Sequence, residues 1–328
     1  MNETVRWGIL GTGGIARAFA LGLQDAPGAV LAAVGSRTQE SADAFAHELG
    51  FEAAYPSYEA LAAAPDVDII YVATPHPMHA ENALLSLGGG KAVLCEKPFA
   101  MNLREARAVV ALAREKNLFL MEAMWTRFLP ALAEVQRVMA SGEIGEIVQV
   151  QADFGFAATR DPQHRVNKRA LGGGALLDLG IYPLSIACAL LGPAQSVQAQ
   201  AIMSETGVDA TTVFTLRHAG GTLSSGSCSL RARSPCELVV SGTQGSIRMH
   251  PMFHLAEHVT VEAHGQPART IATPYCGNGY THEAIEAGAW LRSGSIEHPR
   301  MTHAQTLALM GLLDEIRRQI GLRYPSDD

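Results

Sequence analysis

The sequence predicts an α/β protein in which an N-terminal doubly wound parallel sheet is followed by an α+β domain built on a large, mostly antiparallel sheet. Strand-like and helix-like runs alternate through the first third, the pattern of a parallel sheet wrapped in helices. From about Trp125 onward strand-like runs follow one another instead. At 328 residues the chain is long for one core, which favours two domains. The division is expected at 1–124 and 125–328.

Val5 to Ala16, VRWGILGTGGIA, reads as strand, tight turn and helix start. Gly11 permits the turn, Gly13 lets backbone approach a pyrophosphate, and Ala16 packs the helix close to its strand, with Thr12, Gly14 and Ile15 completing the loop. Amides at the helix start then face the phosphates. The alternative is a glycine-rich turn with no ligand. Val30 to Ser36 follows as a strand, and Gln39 to Leu49 as a helix stopped by Gly50. Asp68 to Thr74 and Ala92 to Glu96 are apolar on both faces, as buried parallel strands are. Pro75 and Pro77 break the first of them into a loop. Asn102 and Glu105 form a capping box for a helix through Lys116, and Asn117 to Met124 closes the alternating pattern.

In the second domain, Ala131 to Ser141 is helical and Ile147 to Phe156 alternates like a half-exposed strand. Gly172 to Gly174 precede a helix-like segment to Leu191, in which Pro183 predicts a kink. Strands follow at Ser196 to Met203, Thr211 to Arg217, Thr222 to Leu230, Glu237 to Ser241 and Ser246 to His250. Turns are expected at His218 to Gly221 and Gly242 to Gly245. Helices near His282 to Arg292 and His303 to Ile320 close the chain, the latter behind a Thr302-x-x-Gln305 box. These helices cover one face of the sheet. A homodimer or tetramer joined through the other face is therefore expected.

Composition narrows the functions. A net charge of −7 without a long basic block argues against nucleic acid or an anionic membrane surface as partner. Cys95, Cys188, Cys228, Cys236 and Cys276 form no C-x-x-C pair, which argues against disulfides and structural zinc and for a reducing cytoplasm. The histidines are expected to be surface or core residues, and no metal is expected. No charged-then-apolar leader opens the chain, and no run of ~20 apolar residues suggests a span.

Chemistry is expected at the carboxyl ends of the parallel strands. The second strand ends in Gly35-Ser36-Arg37, where an NAD site would place an acid for the ribose 2′-hydroxyl. Arginine there reads as a clamp for a 2′-phosphate, which favours NADP over NAD; the alternative is a solvated surface residue. Glu96-Lys97-Pro98 places an acid and a base at the mouth of the cleft, with Lys97 beside any bound nicotinamide.

With these motifs the chain resembles the glucose-fructose oxidoreductase and inositol dehydrogenase family (Gfo/Idh/MocA), whose hallmark is Glu-Lys-Pro after a Rossmann strand with the lysine catalytic. The resemblance runs on through Ala73-Thr74-Pro75 with His79, Gly172-Gly173-Gly174-Ala175 with Asp178, and Gly242-Thr243-x-Gly245. It implies that Thr74, Pro75, His79 and Glu96 serve the cofactor, as does His76, where most members carry asparagine. Glu122 to Pro130, EAMWTRFLP, is similar to the dimeric dihydrodiol dehydrogenase branch, which includes NADP-dependent D-xylose dehydrogenases. That implies Trp125 and Arg127 at the junction of cofactor and substrate, with Phe154 on the substrate side. A Trp buried between domains and an Arg salt-bridged to hold them are the alternative. Many members have histidine four residues after the aspartate; here it is Tyr182, as in the dihydrodiol branch.

The expected activity is hydride transfer between nicotinamide and a secondary alcohol carbon of a sugar, polyol or cyclic diol, or across the CH–CH of a trans-dihydrodiol. Tyr182 handles the proton, with Lys97 beside it and Asp178 on the same helix face. The competing role for Tyr182 is packing with its hydroxyl on Asp178. An NAD-dependent glycosidase of the same fold and a non-enzymatic NADP sensor are the competing functions.

Overall fold

The computed structural model describes residues 4–328. The chain forms two compact units: one runs through Trp125 and takes in Cys276–Leu307, the other comprises Thr126–Tyr275 and Ala308–Asp328.

The first unit begins with β1 (Val5–Leu10), α1 (Gly14–Gln24), β2 (Ala29–Gly35), α2 (Gln39–Leu49), β3 (Ala53–Tyr55) and α3 (Tyr58–Ala62). It continues with β4 (Ile69–Val72), α4 (His79–Gly88), β5 (Ala92–Glu96), α5 (Leu103–Lys116) and β6 (Leu120–Ala123). The strands lie in the order β3-β2-β1-β4-β5-β6, every pair parallel. β4, β5 and β6 are buried on both faces, because helices cover each side. The caps are where the residue types place them. Thr38 caps α2 at the amide of Ser41, Gly50 ends it with φ 83°, and Asn102 accepts from the Glu105 amide at the start of α5. Asn117, expected in a strand, takes φ 53° as the left-handed cap of α5, so β6 starts only at Leu120.

The second unit holds α6 (Pro130–Ser141), β7 (Ile147–Gly155), a π-helical turn Leu176–Gly180 running into α7 (Ile181–Leu191), β8 (Ala194–Met203), β9 (Asp209–His218) and β10 (Leu223–Ser229). β11 (Leu238–Gly242), β12 (Gly245–Met249), β13 (His258–Ala263) and β14 (Arg269–Ala272) complete a sheet ordered β14-β13-β12-β11-β7-β10-β9-β8. All its pairs are antiparallel except β7 with β10. α7 packs on β7 and β10, over an inner face that includes Val150, Phe154, Phe214 and Leu216. The outer face alternates small polar residues with Ile202, Val213 and Leu223, each about half exposed.

Three strands escape the sequence pattern. β3 has three residues, while β13 and β14 form one edge of their sheet and expose His258, Glu262, Arg269 and Thr270, which leaves little apolar signal. The expected single helix from Gly174 to Leu191 also differs. Its register changes in the π turn, so Pro183 falls in the first turn of α7, where its missing N–H costs little. Residues 169–191 are long and apolar enough to cross a membrane by length and composition, but 78% of that window is buried.

α8 (Tyr280–Arg292) and α9 (His303–Ile320) follow. Residues 276–307, which the sequence groups with 125–328, pack on the first unit. Thr281 donates to the Gly22 carbonyl at 2.9 Å and Asn278 to the Ala18 carbonyl at 2.6 Å, fixing α8 along α1. The Thr302–Gln305 box forms in full, at 3.0 and 3.2 Å.

Candidate active site

β1 and β4 are neighbours although the chain visits β2 and β3 between them, so the strand order reverses here and a crevice opens at their carboxyl ends. Gly11 leaves β1 with φ +112°, and a Cβ there would stand 3.0 Å from the Ala73 carbonyl oxygen. Gly13 begins α1 without any side-chain cap, and the first turn carries no acid. A Cβ on Gly13 or Gly14 would meet nothing within 4 Å, so these glycines border open space. Ile15 and the buried Ala16 continue into α1. The amides at this helix start, bordered by room that side chains would otherwise fill, fit a dinucleotide pyrophosphate.

A cavity of about 590 Å³ lies there, lined by Gly11, Thr12 and Gly13, by Ser36, Arg37 and Thr38, and by Thr74 and Pro75. Ser36 is buried and its hydroxyl lies 3.4 Å from that of Thr12. Arg37 is exposed. Its charge reaches Tyr58, whose phenol is raised by burial and lowered again by that guanidinium.

The loops after β4 and β5 are fastened to each other. His79, 1% exposed, places Nδ1 2.7 Å from the Pro98 carbonyl and Nε2 2.7 Å from the Thr74 carbonyl. Burial pushes the ring's pKa down, against the pull of the two carbonyls. Asn82 donates to the Thr74 hydroxyl at 3.1 Å. His79 therefore serves the site by holding loops, its ring having almost no open surface, while His76 lies half-buried with its ring 5.7 Å away.

Lys97 is half-buried and precedes a cis peptide bond to Pro98. Beneath it the buried Glu96 accepts from the Tyr71 hydroxyl and, at 3.0 Å, from the Lys97 amide. Tyr71 stacks on Phe19 of α1 with ring centroids 3.7 Å apart. Glu283 of α8 is fully buried, and neither of its carboxyl oxygens has a hydrogen-bond partner among the described residues. Burial, reinforced by the charge of Glu96, pushes it well above the usual carboxylate range. Trp125 is also buried, its ring 4.6 Å from that of Tyr280.

In the second unit, Arg127 is buried and gives two hydrogen bonds to Ser185, at 2.7 Å to the hydroxyl and 2.9 Å to the carbonyl. Ser185 lies three residues beyond Tyr182, so Arg127 braces the helix that carries the tyrosine. Asp178 and Tyr182 are each 5% exposed. Asp178 receives Arg165 through both oxygens at 3.2 and 3.3 Å. The Tyr182 ring lies 5.3 Å from Phe154 and 5.7 Å from His254, and the last two stack at 4.1 Å. Phe154, Asp178 and Tyr182 are thus brought into one neighbourhood, together with Arg165 and His254, which the sequence does not single out. Arg165 sits in a loop between β7 and the π turn and His254 in a short turn after β12, where no periodicity marks a facing partner.

The two units also match known descriptions. Residues 5–124 match an oxidoreductase family with an NAD-binding Rossmann fold, and residues 132–248 match a GFO/IDH/MocA C-terminal domain. A trans-1,2-dihydrobenzene-1,2-diol dehydrogenase of Danio rerio is 36% identical over 334 residues, covering 98% of this chain and 99% of that protein. A 3-ketoreductase from Actinomadura kijaniata, solved with NADP and TDP-benzene, is 28% identical with a TM-score of 0.85, over 97% of this chain and 98% of that one. A levoglucosan dehydrogenase solved with NADH and L-sorbose, 22% identical, shares the fold with a TM-score of 0.89 over 97% of each chain.

Because His79 ties two loops of the crevice, His79→Ala should weaken dinucleotide binding roughly tenfold, the loss of about one to two net hydrogen bonds. Titration followed by reduced-nicotinamide fluorescence measures this. An unchanged Kd would mean that the loops hold their places without the imidazole.

Proposed function

The chain belongs to the GFO/IDH/MocA oxidoreductase family and is a dehydrogenase, and from that premise we propose that it is NADP-dependent and moves a hydride between nicotinamide and a secondary alcohol carbon of a sugar or cyclic diol, or across the CH–CH of a trans-dihydrodiol. The observation that carries the cofactor choice is the end of β2, where Ser36, Arg37 and Thr38 line the cavity and no acid stands to receive a ribose 2′-hydroxyl. A guanidinium and a 2′-phosphate make charge-assisted bonds of matched geometry. The diol class is supported by the trans-1,2-dihydrobenzene-1,2-diol dehydrogenase relative, and the sugar class by the resemblance to the branch that includes D-xylose dehydrogenases.

In this reading the turn from Gly11 to Ala16 takes the pyrophosphate. When bound, the dinucleotide accepts or returns the hydride at its nicotinamide ring. Tyr182 takes the hydroxyl proton as the carbonyl forms and gives it back in the reverse direction. A free tyrosine titrates near ~10 and is a poor base at neutral pH, so it needs a cation to stabilise its phenolate; Lys97 is that cation. Asp178, held by Arg165, orients a substrate hydroxyl, and Phe154 and Trp125 offer flat surfaces to a ring. A screen of aldoses, cyclic polyols and trans-dihydrodiols with NADP and NAD, following reduced-nicotinamide absorbance, tests the reading. Sugar release without cofactor turnover would favour the glycosidase.

The reading includes a reducing, cytoplasmic setting, supported by five free cysteines. It also includes a homodimer, or a tetramer of dimers, joined sheet to sheet, supported by Ile202, Val213 and Leu223 on the outer face of the β8–β10 strands.

Three outcomes follow from this reading. Arg37→Ala should raise KM for NADP ten- to a hundredfold, about 1.5–3 kcal/mol of lost charged hydrogen bonds, and leave NAD nearly unaffected; equal effects on both cofactors would sink the assignment. Tyr182→Phe should cut turnover by ~10²–10⁴ with NADP affinity nearly intact, and Lys97→Met should do likewise, the double variant being little worse than either single. Retained turnover in Tyr182→Phe would pass the proton to Lys97. Light scattering at micromolar concentration should give at least twice the chain mass; a monomer would refute the sheet-to-sheet assembly.

A further inference from the structure

The helix that carries Asp178 and Tyr182 starts at a place where nothing in its own sequence caps it. The π turn is preceded by Gly174 and Ala175, and Ala175 offers no side-chain bond. The missing acceptor comes from a different strand. Asp209, the first residue of β9, is completely buried and accepts from the Leu176 amide at 2.8 Å and the Thr212 hydroxyl at 2.7 Å through Oδ2. Its other oxygen, Oδ1, has no hydrogen-bond partner among the described residues. That oxygen stands where a Cβ on Gly174 would go, and Gly174 has φ +122°. The glycine is therefore required twice: for its backbone angle and to let the carboxyl reach the helix. From the far side, the buried Tyr324 donates to the Gly173 carbonyl at 2.6 Å.

We propose that Asp209 is a positioning residue for the reaction: its buried carboxyl group clamps the first turn of the helix bearing Asp178 and Tyr182, and so sets where those two side chains point. This rests on the roles given above to Asp178 and Tyr182. Asp178 is two residues from the clamped amide and Tyr182 six, so an untied first turn displaces the aspartate most directly. Displacing a reacting group by about 1 Å can cost on the order of a hundredfold in rate.

The clamp also titrates. Burial pushes Asp209 up to about 7, held back by the Thr212 hydroxyl and the amides of Leu176, Asp209 and Ala175. The other titratable groups facing it are the Cys228 thiol of β10, raised by burial and by Asp209 itself, and the Tyr324 phenol, which also feels Arg317, Asp327 and Asp178. Below about 7 the carboxyl is neutral, and above it the carboxylate is the stronger acceptor for the Leu176 amide. Since the folded pKa is raised above the usual carboxylate value, ionisation weakens the fold as pH rises through about 7 even as it tightens the clamp.

The experiment compares the full-length protein with Asp209→Asn and Asp209→Ala, measuring kcat, KM and NADP affinity from pH 5.5 to 9, with thermal unfolding as a check on folding and Tyr182→Phe alongside. Asparagine keeps an acceptor oxygen but cannot ionise. Turnover should fall in the order wild type, Asn, Ala, the last by tenfold or more. NADP affinity should stay constant, and the inflection near pH 7 in the wild-type kcat profile should be absent from Asp209→Asn. A purely structural Asp209 would lower the unfolding temperature while leaving kcat per folded enzyme and the pH profile as in wild type, and that outcome overturns the proposal. If instead Tyr182→Phe keeps full turnover, the reading of Tyr182 fails on its own evidence, whatever Asp209 does.

Discussion

The architecture of the first unit depends on one close approach. Gly11 passes so near the Ala73 carbonyl that a Cβ there would lie 3.0 Å from the oxygen, and it does so with φ +112°. Only glycine adopts that angle without strain. Because Gly11 can do so, β1 and β4 sit side by side, α1 starts at the crevice, and the loops after β2 and β4 converge on the same opening. Any larger residue would separate the strands and close the phosphate cradle from behind.

Around that opening the protein keeps its acids buried and its cations accessible. Glu96 is held by Tyr71 and the Lys97 amide, and Glu283 is pushed toward its neutral form by burial. A neutral Glu283 avoids placing a second negative charge beside Glu96, which the low dielectric of the interior would penalise. Lys97 and Arg37 remain reachable from solvent. In the second unit Asp178 is likewise a buried carboxylate, and Arg165, which pairs with it, is exposed on a loop.

Much of this was legible from residue order. The starts of α5 and α9 could be read because Asn102, Thr302 and Gln305 act on amides three residues away, and the end of α2 because Gly50 takes a left-handed backbone angle. Strands β4 and β5 were legible because burial on both faces leaves continuous apolar runs. The edge strand β14 and its neighbour β13 were not, since half their residues face solvent. The catalytic candidates Lys97, Asp178 and Tyr182 came from motif resemblance. Their supports, Arg165, His254, Glu283 and Asp209, carried no comparable mark, because each acts on a partner far away in sequence or on another element.

The sequence by itself determined the fold class, the glycine turn and the arginine at the end of β2, because these depend on residue type and on spacing of a few positions. Only the tertiary structure decided that His79 lies buried between two loop carbonyls instead of facing the crevice, that the tyrosine helix begins as a π turn, and that residues 276–307 return to α1. Those outcomes turn on hydrogen bonds between residues that long loops bring together, such as Asn278 with Ala18 and Asp209 with Leu176. Local propensity cannot encode them, because burial makes an unmet polar group costly wherever in the chain its partner lies.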